Sequence, residues 1–66
     1  MKISLNGEEC ELRDGLTVAQ LLAEIGTPPT GIAVARNDEV IRRSAHEQAI
    51  VHPGDRIEII KAVAGG

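Results

Sequence analysis

Few residues in this sequence could carry chemistry, and they are scattered. The chain closes on two glycines, Gly65 and Gly66, directly after the apolar stretch "RIEIIKAVA". Glycine loses more backbone freedom on ordering than any other residue. A Gly-Gly end is therefore either a frayed terminus or a segment whose lack of side chains is used, and composition alone leaves both open. Cys10 alternates with Leu12 in "EECEL" and reads as a small buried hydrophobe rather than a redox centre. A lone cysteine excludes an internal disulfide and any cysteine-based zinc or iron–sulfur site. His46 and His52 lack a third ligand at metal spacing. His52 precedes Pro53 in a turn and is expected in solvent, while the residues around His46 assign it no role. Glu8, Glu9, Glu11 and Asp14 form an acidic corner. Paired carboxylates can do acid–base work, but these lie on a hairpin with no cleft in the pattern and are expected to be solvated. Asp38, Glu39, Arg42 and Arg43 are charges suited to orienting a partner, and the sequence does not decide whether they do.

No nucleophile–base pair is recognisable, so an independent hydrolase or transferase is excluded. The size of the chain says the same. With 66 residues there is one domain, and its core must come from 18 Ile, Leu and Val residues without a Phe, Tyr or Trp. Such a chain cannot spare apolar volume for a deep pocket. Seven basic and ten acidic residues give a net charge of −3, which argues against nucleic acid, since that needs a basic patch and often stacking aromatics. The start "MKISLNGEE" has no apolar run of signal-peptide length, and no stretch is long and apolar enough to span a membrane. A reducing cytoplasm is the expected location.

The elements that would position the chain end follow from local signals. "KISL" and "EECEL" flank Asn6-Gly7, a strong hairpin signal, so strands are expected at 2–5 and 8–12. "LTVAQLLAEIG" is the one good helix. Thr17 stands at the N-cap with Gln20 three residues on. Val18, Leu21, Leu22 and Ile25 make one apolar face, Gly26 suits the C′ position, and Pro28-Pro29 forbid continuation. "GIAVAR" predicts a strand at 31–36 with Ile32 and Val34 on one face. Asn37-Asp38-Glu39 turns, "VIRR" is a short extended piece, and "SAHEQAIV" predicts a turn of 3₁₀ helix and loop. "HPGD" is a turn, and a closing strand is expected at 56–63. A hairpin, one helix and further strands make an α+β domain with the helix on one sheet face. This is the layout of the β-grasp, or ubiquitin-like, fold: a mixed sheet of four to five strands whose first and last strands pair in parallel at the centre. The domain would cover 1–64, with 65–66 as a flexible tail.

On these segments the chain resembles a known family. "LNGEE", "LTVAQLLAEIG", "GIAVARNDEVIRRS", "PGDRIEIIKAV" and the final Gly65-Gly66 together resemble the ThiS-like sulfur carrier proteins of thiamine thiazole synthesis. The likeness covers essentially the whole chain. It departs where the family often has a proline and then a tryptophan, around Arg42 and His46. The resemblance implies a non-enzymatic protein that binds no cofactor itself. A partner, an E1-like (ThiF-like) adenylating enzyme, would use ATP to adenylate the Gly66 α-carboxylate. A persulfide donor such as a cysteine desulfurase would convert it to a thiocarboxylate, and a ThiG-like thiazole synthase would accept the sulfur. Gly65 and Ala64 would be recognised as tail. Alternatives of the same kind are the MoaD-like small subunit of molybdopterin synthase, whose Pro-rich approach to the glycines "KAVAGG" lacks, and carriers for other sulfur-containing metabolites. A β-grasp interaction module that is never modified is the alternative of another class.

A docking face is also expected beside the tail. If Ile57 and Ile59 face the helix, alternation puts Ile60 and Ala62 on the opposite face, where Ala33 and Ala35 would join them as a smooth patch. A monomer is expected.

Overall fold

The computed structural model describes residues 1–28 and 30–61. Strands β1 (Lys2–Leu5) and β2 (Glu8–Glu11) are joined by Asn6 and Gly7, both at positive φ (50° and 83°). Asn-Gly adopts that mirror-image turn cheaply, and its twist matches the paired strands. Ile3 opposes Cys10 and Leu5 opposes Glu8. Strand β2 ends at Glu11, one residue short of the expected 12, although the Leu12 N–H still donates to the Met1 carbonyl at 2.8 Å and the Leu12 side chain packs on the core.

Helix α1 (Val18–Glu24) carries both halves of the capping box. The Gln20 N–H donates to Thr17 Oγ1 at 3.1 Å, and the Thr17 N–H donates to Gln20 Oε1 at 2.9 Å. At the other end Gly26 (φ 75°) lets the Thr27 N–H reach back to the Leu22 carbonyl at 2.9 Å and its own N–H to Ala23 at 3.2 Å, the six-to-one closure that glycine permits. Thr17→Ala removes a cap from the only α-helix among the described residues. It is expected to cost about 1 kcal/mol in urea unfolding, and a change below a few tenths would show that the neighbouring loop alone holds the helix start.

Strands β3 (Ile32–Arg36) and β4 (Glu39–Ile41) form a second hairpin. The expected three-residue turn is a two-residue one: Asn37 and Asp38 take positive φ (52° and 71°), and Glu39 already pairs with Arg36. Short polar side chains tolerate that conformation, which lets the ladder close one residue earlier. Gly31 stays outside β3 with φ 72°, and β4 stops at Ile41, before Arg42 and Arg43. A 3₁₀ turn follows at Arg43–Ala45, then strand β5 (Arg56–Lys61). Residues 62 and 63 of the expected last strand lie outside the described residues.

The sheet order is β2-β1-β5-β3-β4. β1 and β5 run parallel, and the other neighbours are antiparallel. This is the β-grasp arrangement, with five strands. Ile3, Val34 and Ile57 of the sheet pack with Val18, Leu21, Leu22 and Val51 in one aliphatic core, flanked by Cys10, Ile25, Ile41 and Ile59. Among the described residues, no helix is long and apolar enough to cross a membrane.

Candidate functional site

Strand β5 is the element that carries the chain toward its end, and the sheet grips it from both sides. Ser4 donates to the Asp55 carbonyl and Asn6 to the Ile57 carbonyl, both at 2.9 Å, on the β1 side. On the β3 side the Asn37 N–H donates to the Arg56 carbonyl at 2.8 Å, and five register pairs run from Arg36↔Ile57 to Ile32↔Lys61. Two asparagine side chains extend the ladders past the turns. Asn37 Oδ1 accepts from the Arg56 N–H at 2.9 Å, and Asn6 Oδ1 accepts from the Ile59 N–H at 2.8 Å. The start of β5 is braced by Asp55, which is buried and accepts from the His52 N–H at 2.8 Å and from Asn37 Nδ2 at 3.2 Å. Whatever follows Lys61 therefore leaves from a strand that is bonded on both edges along most of its length. Ala62, Ala64, Gly65 and Gly66, expected as docking and tail residues, lie outside the described residues.

The sheet face away from α1 is partly apolar. Ala33 opposes Ile60 and Ala35 opposes Glu58, while Ile57 and Val34 point into the core. Ile60 is 59% exposed, Ala33 is exposed and Ala35 half-buried. Two members of this face were absent from the expected patch. Val40 opposes Ala35 and is 72% exposed, the most open large apolar side chain among the described residues. Glu58 sits half-buried between Arg56 and Ile60 and puts a carboxylate on the same face. The alternation of "EVI" beside a two-residue turn was the signal for Val40, since Ile41 facing inward forces Val40 outward.

Charge surrounds the patch unevenly. Arg56 is paired with Asp38 across the β3–β4 turn. The side chains of Arg42 and Arg43 are exposed, and among the described residues neither is in an ion pair. Glu8, Glu9, Glu11 and Asp14 are also exposed. Cys10 is half-buried against the core, as its alternation with Leu12 suggested, and His52 is exposed.

His46 has a structural place that the sequence did not disclose. It is 5% exposed, and its Nε2 lies 3.0 Å from the Ile41 carbonyl. Its own carbonyl accepts from the Ala19 N–H at 2.9 Å, and the Ala49 carbonyl accepts from Val18 at 2.8 Å. The loop thus satisfies helix-start N–H groups that have no partner within a helix, and His46 ties β4 to α1. Among the described residues no three His, Cys, Asp or Glu side chains gather as a metal site. Three hollows formed by described residues are open to solvent and measure about 230 to 380 Å³. Among the described residues the arrangement offers an open, partly apolar sheet face beside the last strand.

Comparison with known proteins agrees with this shape. A model of the ThiS family matches residues 3–66. The chain is 39% identical over 66 residues to a thiazole synthase of Paramagnetospirillum magneticum, and 36% identical to one of Magnetococcus marinus. It spans all of its own length but only 20% of theirs. It is 33% identical to the sulfur carrier protein ThiS of Escherichia coli, with both chains covered completely. The crystal structure of a thiamine biosynthesis protein (ThiS) from Geobacter metallireducens superposes with a TM-score of 0.89 at 28% identity, again over all of both chains.

Proposed function

The chain belongs to the ThiS family, and on that premise we propose that it is a sulfur carrier for the thiazole ring of thiamine, a co-substrate of other enzymes and not itself a catalyst. The observation that carries the reading is the family match running through residue 66, the second of the two terminal glycines.

The proposed cycle acts on the Gly66 α-carboxylate, which is ionised at neutral pH and a poor electrophile. An oxygen of that carboxylate attacks the α-phosphate of ATP held by an E1-like adenylating enzyme, and pyrophosphate leaves. The terminal sulfur of a partner's cysteine persulfide, such as that of a cysteine desulfurase, attacks the acyl carbon and AMP leaves. A second thiol on the donor side cleaves the sulfur–sulfur bond, forming a disulfide and releasing the thiocarboxylate. A thiazole synthase then accepts the sulfur. The alignment of this whole chain with one fifth of two thiazole synthases supports that last partner. Cys10, half-buried and packed on the core, is not the persulfide.

Gly65 and Gly66 suit a tail that must enter a water-excluding active site. Without Cβ atoms they thread a narrow channel, and Gly66 leaves the attacked carbonyl uncrowded. Intact-mass measurement tests the proposal. Incubation with ATP, an E1-like enzyme and a sulfur donor is expected to add the mass of one sulfur less one oxygen at the chain end. No gain with several such enzymes would refute it.

Docking on the open face of the sheet is part of the same proposal, through Ala33, Ala35 and Ile60 together with Val40 and Ala62. Ile60→Asp places a charge on that face without disturbing the core, since Ile60 is 59% exposed. It is expected to weaken binding to the adenylating enzyme about tenfold or more at an unchanged melting temperature. Unaltered activation kinetics would remove the face from the interface.

A further inference from the structure

The ladder between β1 and β5 stops before β5 does. Ser4 and Asn6 bond the carbonyls of Asp55 and Ile57, so odd-numbered residues of β5 turn their backbone groups toward β1, while Arg56 and the even-numbered residues turn toward β3. β1 ends at Leu5, and Asn6 and Gly7 carry the chain away into β2. The Asn6 carboxamide takes the Ile59 N–H. Beyond it, the Ile59 carbonyl and the Lys61 N–H point to a side where no strand lies among the described residues. On the other side the same stretch is held by β3 through Ile60, opposite Ala33. Within a five-stranded sheet, this is a short free edge on an inner strand.

A hollow of the β1–β2 hairpin shares Asn6 with that edge. About 300 Å³ of open space is lined by Leu5, Asn6, Glu8, Glu9 and Cys10. Its walls are apolar at Leu5 and Cys10, and its rim carries two exposed carboxylates.

We infer that this edge takes an additional strand: an extended segment of the partner that activates the chain end, pairing with the Ile59 carbonyl and the Lys61 N–H. Strand addition supplies main-chain hydrogen bonds, and alternate side chains supply specificity through pockets. Where the segment passes Asn6, one of its side chains enters the Leu5 side of the hollow, so it is apolar. A basic residue next to it meets Glu8 and Glu9. The added strand would fix the direction of β5 at Lys61, four residues before Gly65, and so aim the tail. The inference rests on the reading of the chain as a substrate for an adenylating enzyme.

Hydrogen exchange followed by NMR tests it on the intact chain. The Lys61 amide is expected to exchange freely in the protein alone and to slow at least tenfold in the complex with the adenylating enzyme and ATP. Lys61→Pro deletes that N–H without removing a bond to β3, and proline is tolerated at such an edge. It should lower affinity for the enzyme roughly tenfold, whereas Lys61→Ala stays within about twofold. An enzyme that loads the wild-type chain yet binds Lys61→Pro and Lys61→Ala equally, with the Lys61 amide unprotected, overturns the added strand and leaves the carrier reading standing. Protection that grows with the concentration of the chain alone shows a second copy on the edge and also overturns it. A wild-type chain that gains no sulfur sinks both readings together.

Discussion

A chain shortened by Gly65 and Gly66 is expected to gain no sulfur under conditions that load the full chain, and to melt at the same temperature. Every fully buried core residue among the described ones lies between Ile3 and Ile57, so the core is expected to survive the truncation. The intact fold makes the loss interpretable. The shortened chain still ends in a carboxylate, on Ala64, and that group is chemically as competent as the one on Gly66. Failure would therefore come from reach and shape. A misplacement of about 1 Å at a reacting centre costs on the order of 10²-fold in rate, and two residues of extended chain span roughly 7 Å. Gly66→Val separates the two causes, because it keeps the reach and adds a branched side chain beside the attacked carbonyl. A slowing of roughly 10²-fold is expected for it, read as the initial rate of ATP–pyrophosphate exchange. A shortened chain that is loaded at the normal rate would show that the glycines are a frayed end after all.

The second large effect is on stability. Leu21→Ala is expected to cost about 2–5 kcal/mol. Stability of about 0.05–0.15 kcal/mol per residue leaves a 66-residue chain roughly 3–10 kcal/mol, so this one substitution removes a large part of it or all. Leu21 is fully buried at the centre of the helix face, against a core built of Ile, Leu and Val side chains. The chain has no aromatic residue, so no large side chain is available to swing into the space. Relaxation would have to come from moving α1, whose start is pinned by the Ala19–His46 and Val18–Ala49 backbone bonds. Urea unfolding followed by circular dichroism reads the result. A loss below about 1 kcal/mol would mean that the helix collapses onto the sheet in spite of those bonds.

Much of this fold is legible residue by residue because its signals are local. Asn6-Gly7 sits at positive φ in both residues, Thr17 and Gln20 close the capping box, and Gly26 ends the helix in the left-handed conformation. Each of these depends on residues within a few positions of one another. The apolar periodicities of α1 and β5 pick out the buried face correctly for Val18, Leu21, Leu22 and Ile57. Where expectations moved, the competing cause was a pairing partner. Glu39 joined a strand instead of a turn because Arg36 stood opposite.

The alternation of "RIEIIKAVAGG" and the final glycines determined by themselves that this chain has a strand with one core-facing side leading to a side-chain-free end, since period-two alternation and glycine are properties of the residues. The family likeness was legible for the same reason. Only the tertiary structure decided how that strand is held. Asn6 reaches Ile59 across 53 positions, and Asn37 reaches Arg56 across 19. Bonds between distant residues leave no periodic trace in either segment, and an asparagine in a turn looks the same whether or not its amide caps another strand. The same holds for His46, whose burial comes from β4 and α1 closing around it, and for Val40, which turns outward because the β3–β4 register does. The free edge at Lys61 follows from the same tertiary fact: β1 turns away at Asn6 while β5 runs on beside β3.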